Sequence, residues 1–265
     1  MSERRVLDRP EPWPPINADK PSALLIRVYP RLSAFIRGPN ASVGHLTAAP
    51  PGTATLVPMK TTLSFGACLL LGACLAPAQD LKPVSLPAPQ TEGGMPLMQA
   101  LKQRHSTRAF SAQPLSLQTL SNLLWAGFGI NRPDGHRTAP SAMNWQEVDI
   151  YVAAPDGVYV YDAKANALQP VAAGDLRAVA GTQPFVKNAA VNLVYVADTA
   201  RTHGNSEFIG ADTGFIAQNV YLFCASEGLV TVVRASVDRA AIAKAFKLRP
   251  EQRVTLAQSV GYPQK

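Results

Sequence analysis

From residue 95 onward the apolar positions fall into periods that alternate between helix and strand spacing, whereas before it no period is sustained. Leu97, Met98 and Leu101, followed by Arg104, recur at helical intervals and predict a short helix ending near Arg104. Leu115, Leu117, Leu120, Leu123 and Leu124 predict a second helix, with Ser116 as its cap and Gly127 and Gly129 as its stop. Trp125 and Phe128 extend its apolar face and read as core residues. Residues 148–152 alternate as a strand, 157–161 give a second and 168–171 a third, an antiparallel meander. A short helix over 175–180 follows, then a continuously apolar strand at 189–196 that is expected to be buried on both faces. The long helix predicted over 210–227 stops at Gly228, and its small residues Gly210, Ala211, Gly214, Ala217 and Ala225 permit close approach of another backbone. A strand at 229–233, a helix at 238–246 and a strand at 254–260 complete the pattern. The mixed order predicts an α+β domain with a central, mostly antiparallel sheet flanked by helices.

The front of the chain reads differently. Residues 1–58 hold ten of the 23 prolines, show no period, and are expected to be disordered. Met59-Lys60, an apolar run of about 13 residues over 63–75, and Ala76-Pro77-Ala78 have the layout of a secretory signal peptide at 59–78. The simplest reading makes Met59 the true start and 1–58 an upstream extension. Three outcomes stay open for that run: cleavage after Ala78, lipidation at Cys74 in a lipobox-like Leu71-Gly72-Ala73-Cys74, or a buried core helix. The corresponding locations are periplasmic or secreted, lipid-anchored, or cytoplasmic, with a membrane as partner only if Cys74 is lipidated. Residues 79–94, with Pro83, Pro87, Pro89 and Gly93-Gly94, read as a linker to a folded domain at 95–265.

The net charge of +7 splits into +4 for residues 1–78 and +3 for residues 79–265. The folded part is thus nearly balanced, which argues against a nucleic-acid partner. Of three cysteines only Cys224 lies in the folded part, so no internal disulfide forms there, and its apolar helical setting marks it as core. His105, His136 and His203 stand at no metal-ligand spacing, so no metal is expected. No dinucleotide fingerprint, P-loop or nucleophile elbow is present.

Two stretches carry the chemistry. Arg104-His105-Ser106-Thr107-Arg108 places two guanidinium forks and two hydroxyls in five residues, which suits a phosphate; the alternative is a solvated basic helix end. The polar loop 131–146 contains Arg137, Pro140, Ser141, Asn144, Trp145 and Gln146. Its amide, hydroxyl and guanidinium groups can read a heterocycle edge, and Trp145 can cover a ligand; the alternative is an ordinary surface loop.

Arg104-His105-Ser106-Thr107-Arg108-Ala109-Phe110, Pro140-Ser141-Ala142-Met143-Asn144-Trp145-Gln146, Asp212-Thr213-Gly214, Gln218-Asn219, Glu227-Gly228-Leu229 and Gly261-Tyr262-Pro263 together resemble the FMN-dependent nitroreductase superfamily. Residues 123–129, 137–141 and 157–162 look closest to the branch of azoline-oxidising peptide dehydrogenases. The resemblance spans about 95–263 and implies a nitroreductase-like fold, FMN as cofactor and a homodimer with flavins at its interface. It implies that Arg104 and Ser106, with His105 between them, hold the FMN phosphate and ribityl chain. By the same resemblance Arg108 lies near the N1/O2 edge, and Pro140, Ser141 and Asn144 shape and read the pyrimidine side. Arg137 and Trp145 are the candidates for substrate contact. The implied function is hydride or electron transfer through flavin N5 to or from a small nitroaromatic, quinone or azoline-like molecule, with no catalytic side chain required. NAD(P)H is a possible donor that export would disfavour, and the alternative function is an exported flavin- or ligand-binding module without turnover. Two departures are visible: Lys265 is the one basic residue beyond Gly-Tyr-Pro, where the family carries a phosphate ligand, and no Lys-Tyr pair of the peptide dehydrogenases is found.

Overall fold

The structure is a computed structural model, and it describes residues 81–265. The expectations for 1–58 and for the signal-like run at 59–78, Cys74 included, lie outside the described residues.

Among the described residues, seven strands make one sheet: β1 (Val84–Ser85), β2 (Val148–Ala153), β3 (Gly157–Asp162), β4 (Ala167–Ala173), β5 (Val191–Asp198), β6 (Val230–Arg234) and β7 (Gln252–Gly261). Their spatial order is β1-β4-β3-β2-β5-β7-β6, and every pairing is antiparallel. The helices are α1 (Leu97–Gln103), α2 (Leu117–Phe128), α3 (Ile209–Ser226) and α4 (Arg239–Ala245). The α+β architecture with helices flanking an antiparallel sheet is as the periodicity predicts.

β5 explains why its run is continuously apolar. All eight of its residues are buried. Leu193 and Tyr195 pack with α2 and α3, through Leu123, Leu124, Ile216 and Val220. Val194 and Val196 point to the opposite face and pack with Ile242, Phe246 and Val186. A strand covered on both sides has no polar face to show, which erases the alternation seen in β2. Between α2 and α3 the helices touch closely: a Cβ at Gly127 would lie 3.1 Å from Val220 Cγ2. Cys224 is buried in this layer, and burial pushes its thiol well up, as suits a core residue.

Local signals hold where chemistry fixes them. Ser116 caps α2, its side chain accepting from Thr119 N at 3.0 Å. Asp238 caps α4 by accepting from Ala241 N at 2.9 Å. Gly228, with φ +67°, ends the turn after α3 in the left-handed region that favours glycine. The helix predicted at 175–180 is a 3₁₀ turn at Arg177–Ala180, and a second one, Pro184–Asn188, has no counterpart in the prediction.

The segment read as a linker is docked on the domain, with Leu81 already packed against the main core. Val84 pairs with Leu168, Leu86 is buried in the main core, and Gln90 N donates to Asn122 Oδ1 at 2.9 Å. Two strand residues are too few to carry a period, so the prolines dominate its reading. Trp125 also differs from its expected core role. It is half-buried, its indole N–H donating to the Ile130 carbonyl at 3.0 Å.

Candidate functional site

The Arg104–Phe110 stretch leaves α1 and runs along the sheet edge. Thr107 N donates to the Thr231 carbonyl of β6 at 3.0 Å, Phe110 forms a bridge with Pro263, and Ser111 N donates to the Tyr262 carbonyl at 2.9 Å. These bonds hold the stretch as extended backbone at the C-terminal end of α3. Lys265 stands two residues beyond the Phe110–Pro263 bridge.

Tyr221 of α3 organises the side chains here. Its hydroxyl accepts from Val233 N at 2.9 Å and lies 2.7 Å from Ser106 Oγ. With the Tyr221 proton directed to Ser106, the serine hydroxyl retains its own hydrogen for an outward bond. The Arg104 guanidinium carbon sits 5.2 Å above the Tyr221 ring, a cation–π contact that holds the side chain without occupying its donors. His105 Nδ1 donates to the Gln103 carbonyl at 2.7 Å, leaving Nε2 free. Among the described residues neither Arg104 nor Arg108 forms a salt bridge, so two cations without a counterion stand near the Ser106 hydroxyl. Tyr221 escaped the sequence reading because an aromatic on an apolar helix has no feature that separates it from core.

The second stretch is assembled at the other end of α3. Ala142 N donates to Asp212 Oδ2 at 2.9 Å, Gln146 N to Ser141 Oγ at 2.8 Å, and Ser141 Oγ to Glu147 Oε2 at 3.1 Å. Met143, Asn144 and Gln146 all have left-handed backbones, with φ of 52°, 54° and 48°. Such conformations cost about 1–3 kcal/mol each outside glycine and persist where surroundings impose them. Here the imposing groups are Asp212, Glu147 and Arg201, whose guanidinium donates to the Gln146 carbonyl at 2.8 Å and pairs with Asp149 at 2.8 Å. Asn144 is exposed, and its carbonyl oxygen accepts from Gln146 Nε2 at 2.9 Å, so its amide N–H₂ is available. Pro140 is exposed beside it and Trp145 is half-buried.

Arg137, the other candidate for substrate contact, is braced within the chain. It donates to Gln146 Oε1 at 2.8 Å and to the Phe128 carbonyl at 3.0 Å, over the Phe128 ring at 4.9 Å. Burial lowers its pKa, consistent with a bracing role within the chain.

Within one chain the two stretches are apart. Asp212 and Tyr221 are nine residues distant on one helix, about 13–14 Å along its axis. Arg104, His105, Ser106 and Arg108 come together at one end, and Arg137, Pro140, Ser141, Asn144 and Trp145 at the other. Between α1, α2, α3 and the 90–95 segment lies a cleft of about 580 Å³, lined by Leu97, Trp125, Asn219, Phe223 and Glu227 among others. Among the described residues, no group of three His, Cys, Asp or Glu is arranged to hold a metal ion.

Comparison with known proteins identifies the family. Residues 101–262 match the model of the nitroreductase family. A protein of Methanocaldococcus jannaschii assigned to the nitroreductases is 32% identical over 151 residues, 51% of this chain and 76% of that protein. A crystal structure from Ralstonia eutropha JMP134, likewise assigned as a nitroreductase, has a TM-score of 0.66 at 41% identity and covers 69% of this chain and 90% of that one. A chain of the E. coli microcin synthetase complex, at 20% identity, shares the fold alone, with a TM-score of 0.53 over 66% of this chain and 76% of that one. With more than half its length matched, the chain belongs to the nitroreductase family of oxidoreductases.

Proposed function

We propose that the chain is an FMN-dependent oxidoreductase whose cofactor phosphate is held by Arg104 and Ser106, with His105 beside them. The observation that carries this reading is the pair of salt-bridge-free cations, Arg104 and Arg108, flanking a serine hydroxyl braced by Tyr221. The donor set fits the group: guanidinium N–H forks match phosphate oxygens, and a second cation two residues on suits the negative charge of a reduced flavin edge. Bound FMN supplies hydride transfer at its N5. The residues of the chain then have three tasks. Arg104 and Ser106 anchor the phosphate end, Arg108 places positive charge by the ring, and Asn144, with Pro140 and Ser141 shaping its turn, offers an amide to the pyrimidine edge.

The separation of the two stretches makes a second copy part of the proposal. In a two-fold dimer with antiparallel α3 helices, the Pro140–Asn144 turn of one copy falls beside Arg104–Arg108 of the other. Exposed apolar side chains support this arrangement at both ends of α3. Leu97, Met98 and Leu101 of α1 are 62%, 75% and 44% exposed, and Met143, Phe208 and Phe215 lie at the opposite end with 79%, 40% and 46%. The substrate class is a small nitroaromatic, quinone or azoline-like molecule, and the branch we favour is that of the azoline-oxidising peptide dehydrogenases.

The test is direct. Purified protein should carry a yellow chromophore that bleaches with dithionite and returns on addition of a quinone or nitroarene. A flavin that binds but does not reoxidise with any acceptor would reduce the protein to a binding module. Colourless protein that FMN cannot reconstitute would remove the proposal.

A further inference from the structure

The Ser141–Gln146 turn rests on two buried acids without a counterion. Glu147 is 1% exposed and Asp212 3%, and among the described residues neither forms a salt bridge. Glu147 Oε2 accepts from Ser141 Oγ at 3.1 Å, and Asp212 Oδ2 accepts from Ala142 N at 2.9 Å. Glu147 Oε1 is buried with no hydrogen-bond partner. The Asp212 carboxyl is its neighbour, since the two acids accept from the adjacent residues Ser141 and Ala142. Two ionised carboxylates in contact, out of water and with no cation, are strongly unfavourable; one proton between them removes the repulsion and satisfies the orphaned oxygen.

We propose that Glu147 and Asp212 hold one shared proton and together act as positioning residues that keep the Ser141–Gln146 turn in its left-handed shape. The proposal deepens the flavin reading, since this turn carries Asn144. Glu147 bears the proton on Oε1 and donates to Asp212. Asp212 is thereby free to accept from Ala142 N, and Glu147 Oε2 to accept from Ser141. Burial is the larger cause holding the Glu147 pKa above the ordinary carboxylate range, and Asp212 adds to it.

The surrounding charges are committed elsewhere. Arg137 bonds Gln146 Oε1 and the Phe128 carbonyl, and Arg201 bonds Asp149, Asp198 and the Gln146 carbonyl. Arg249 pairs with Asp198, and Arg239 of α4 donates to the carbonyls of Val254 and Thr255. None of them neutralises the pair. Because the folded state binds the extra proton, its stabilising effect is complete below the unfolded carboxylate pKa. It is lost as pH rises through the raised folded value.

The experiment uses the full chain loaded with FMN. Infrared spectra of wild type should contain a protonated carboxyl stretch that Glu147→Gln removes. FMN affinity of wild type should fall by about tenfold per pH unit once Glu147 ionises. Glu147→Gln, whose amide can donate to Asp212 and accept from Ser141, should bind FMN with a flat profile over the same range. Glu147→Ala should bind weakly at every pH. Identical pH profiles for wild type and Glu147→Gln, or an unchanged carboxyl stretch, would overturn the shared proton. If the chain binds no FMN at all, the infrared band and the pH dependence of thermal unfolding still decide it, separately from the flavin reading.

Discussion

Tyr221 and Ser106 meet at 2.7 Å, across 115 residues of sequence, and the same tyrosine oxygen accepts from the backbone of β6 through Val233. A helix, a strand and the arginine-bearing stretch thus share one oxygen atom. Tyr221→Phe removes the brace from Ser106 and leaves Val233 N without its partner. Loss of such a bond is worth about 0.5–1.5 kcal/mol, with a further penalty for a buried unsatisfied donor. We expect FMN affinity to fall several-fold, about 2–13-fold by that energy, with the spectrum of bound flavin retained. Equal affinity in isothermal titration would show that Ser106 needs no support.

Arg104→Ala should be more severe. A charge-assisted contact contributes about 1.5–3 kcal/mol, which converts to roughly 10–150-fold in dissociation constant. Arg108→Ala should instead act on the ring: the reduction potential of bound flavin should drop, because the positive charge that favours the reduced form is gone. Potentiometric titration separates these effects. An Arg108 variant with the wild-type potential would move its role to the phosphate.

The exposed apolar ends of α3 predict the oligomer. Met98→Glu or Phe215→Glu places a charge in the face assigned to the second copy, where unpaired charge is disfavoured on burial. Sedimentation velocity should show wild type as a dimer and the variants shifted toward monomer, with flavin lost in parallel. A wild-type monomer that binds FMN fully would contradict the two-copy site.

Gln146 ties the turn to its scaffold by donating to the Gly135 carbonyl and Asn144 Oδ1 and accepting from Arg137. Gln146→Ala should cost about 1–3 kcal/mol, because the half-buried Arg137 fork loses a partner. For a domain of this size each kcal/mol lowers Tm by about 2–4 °C. Differential scanning calorimetry measures it. An unchanged Tm would mean that Phe128 alone holds Arg137.

Much of the fold was legible because it is local chemistry. Ser116 caps its helix where predicted, and Gly228 sits in the left-handed backbone that its place after α3 implies. The arginine stretch stood out as a candidate anion site because its residue types are themselves the chemistry. What escaped depends on partners distant in sequence. Val84–Ser85 becomes a strand only because the free edge of β4 receives it. Arg137, read as a candidate substrate contact, also donates to Gln146 and the Phe128 carbonyl, partners that no local pattern names. Tyr221 and the Glu147–Asp212 pair carry no local signal, since an aromatic on a helix or an acid on a helix or loop is ordinary until the facing element is known.

The most direct test of the account is an FMN titration of the purified chain and of its Arg104→Ala variant, followed by flavin fluorescence. The account predicts saturation at one FMN per chain for wild type and a dissociation constant roughly 10–150-fold higher for the variant. Indistinguishable curves, or no binding by wild type, would contradict it.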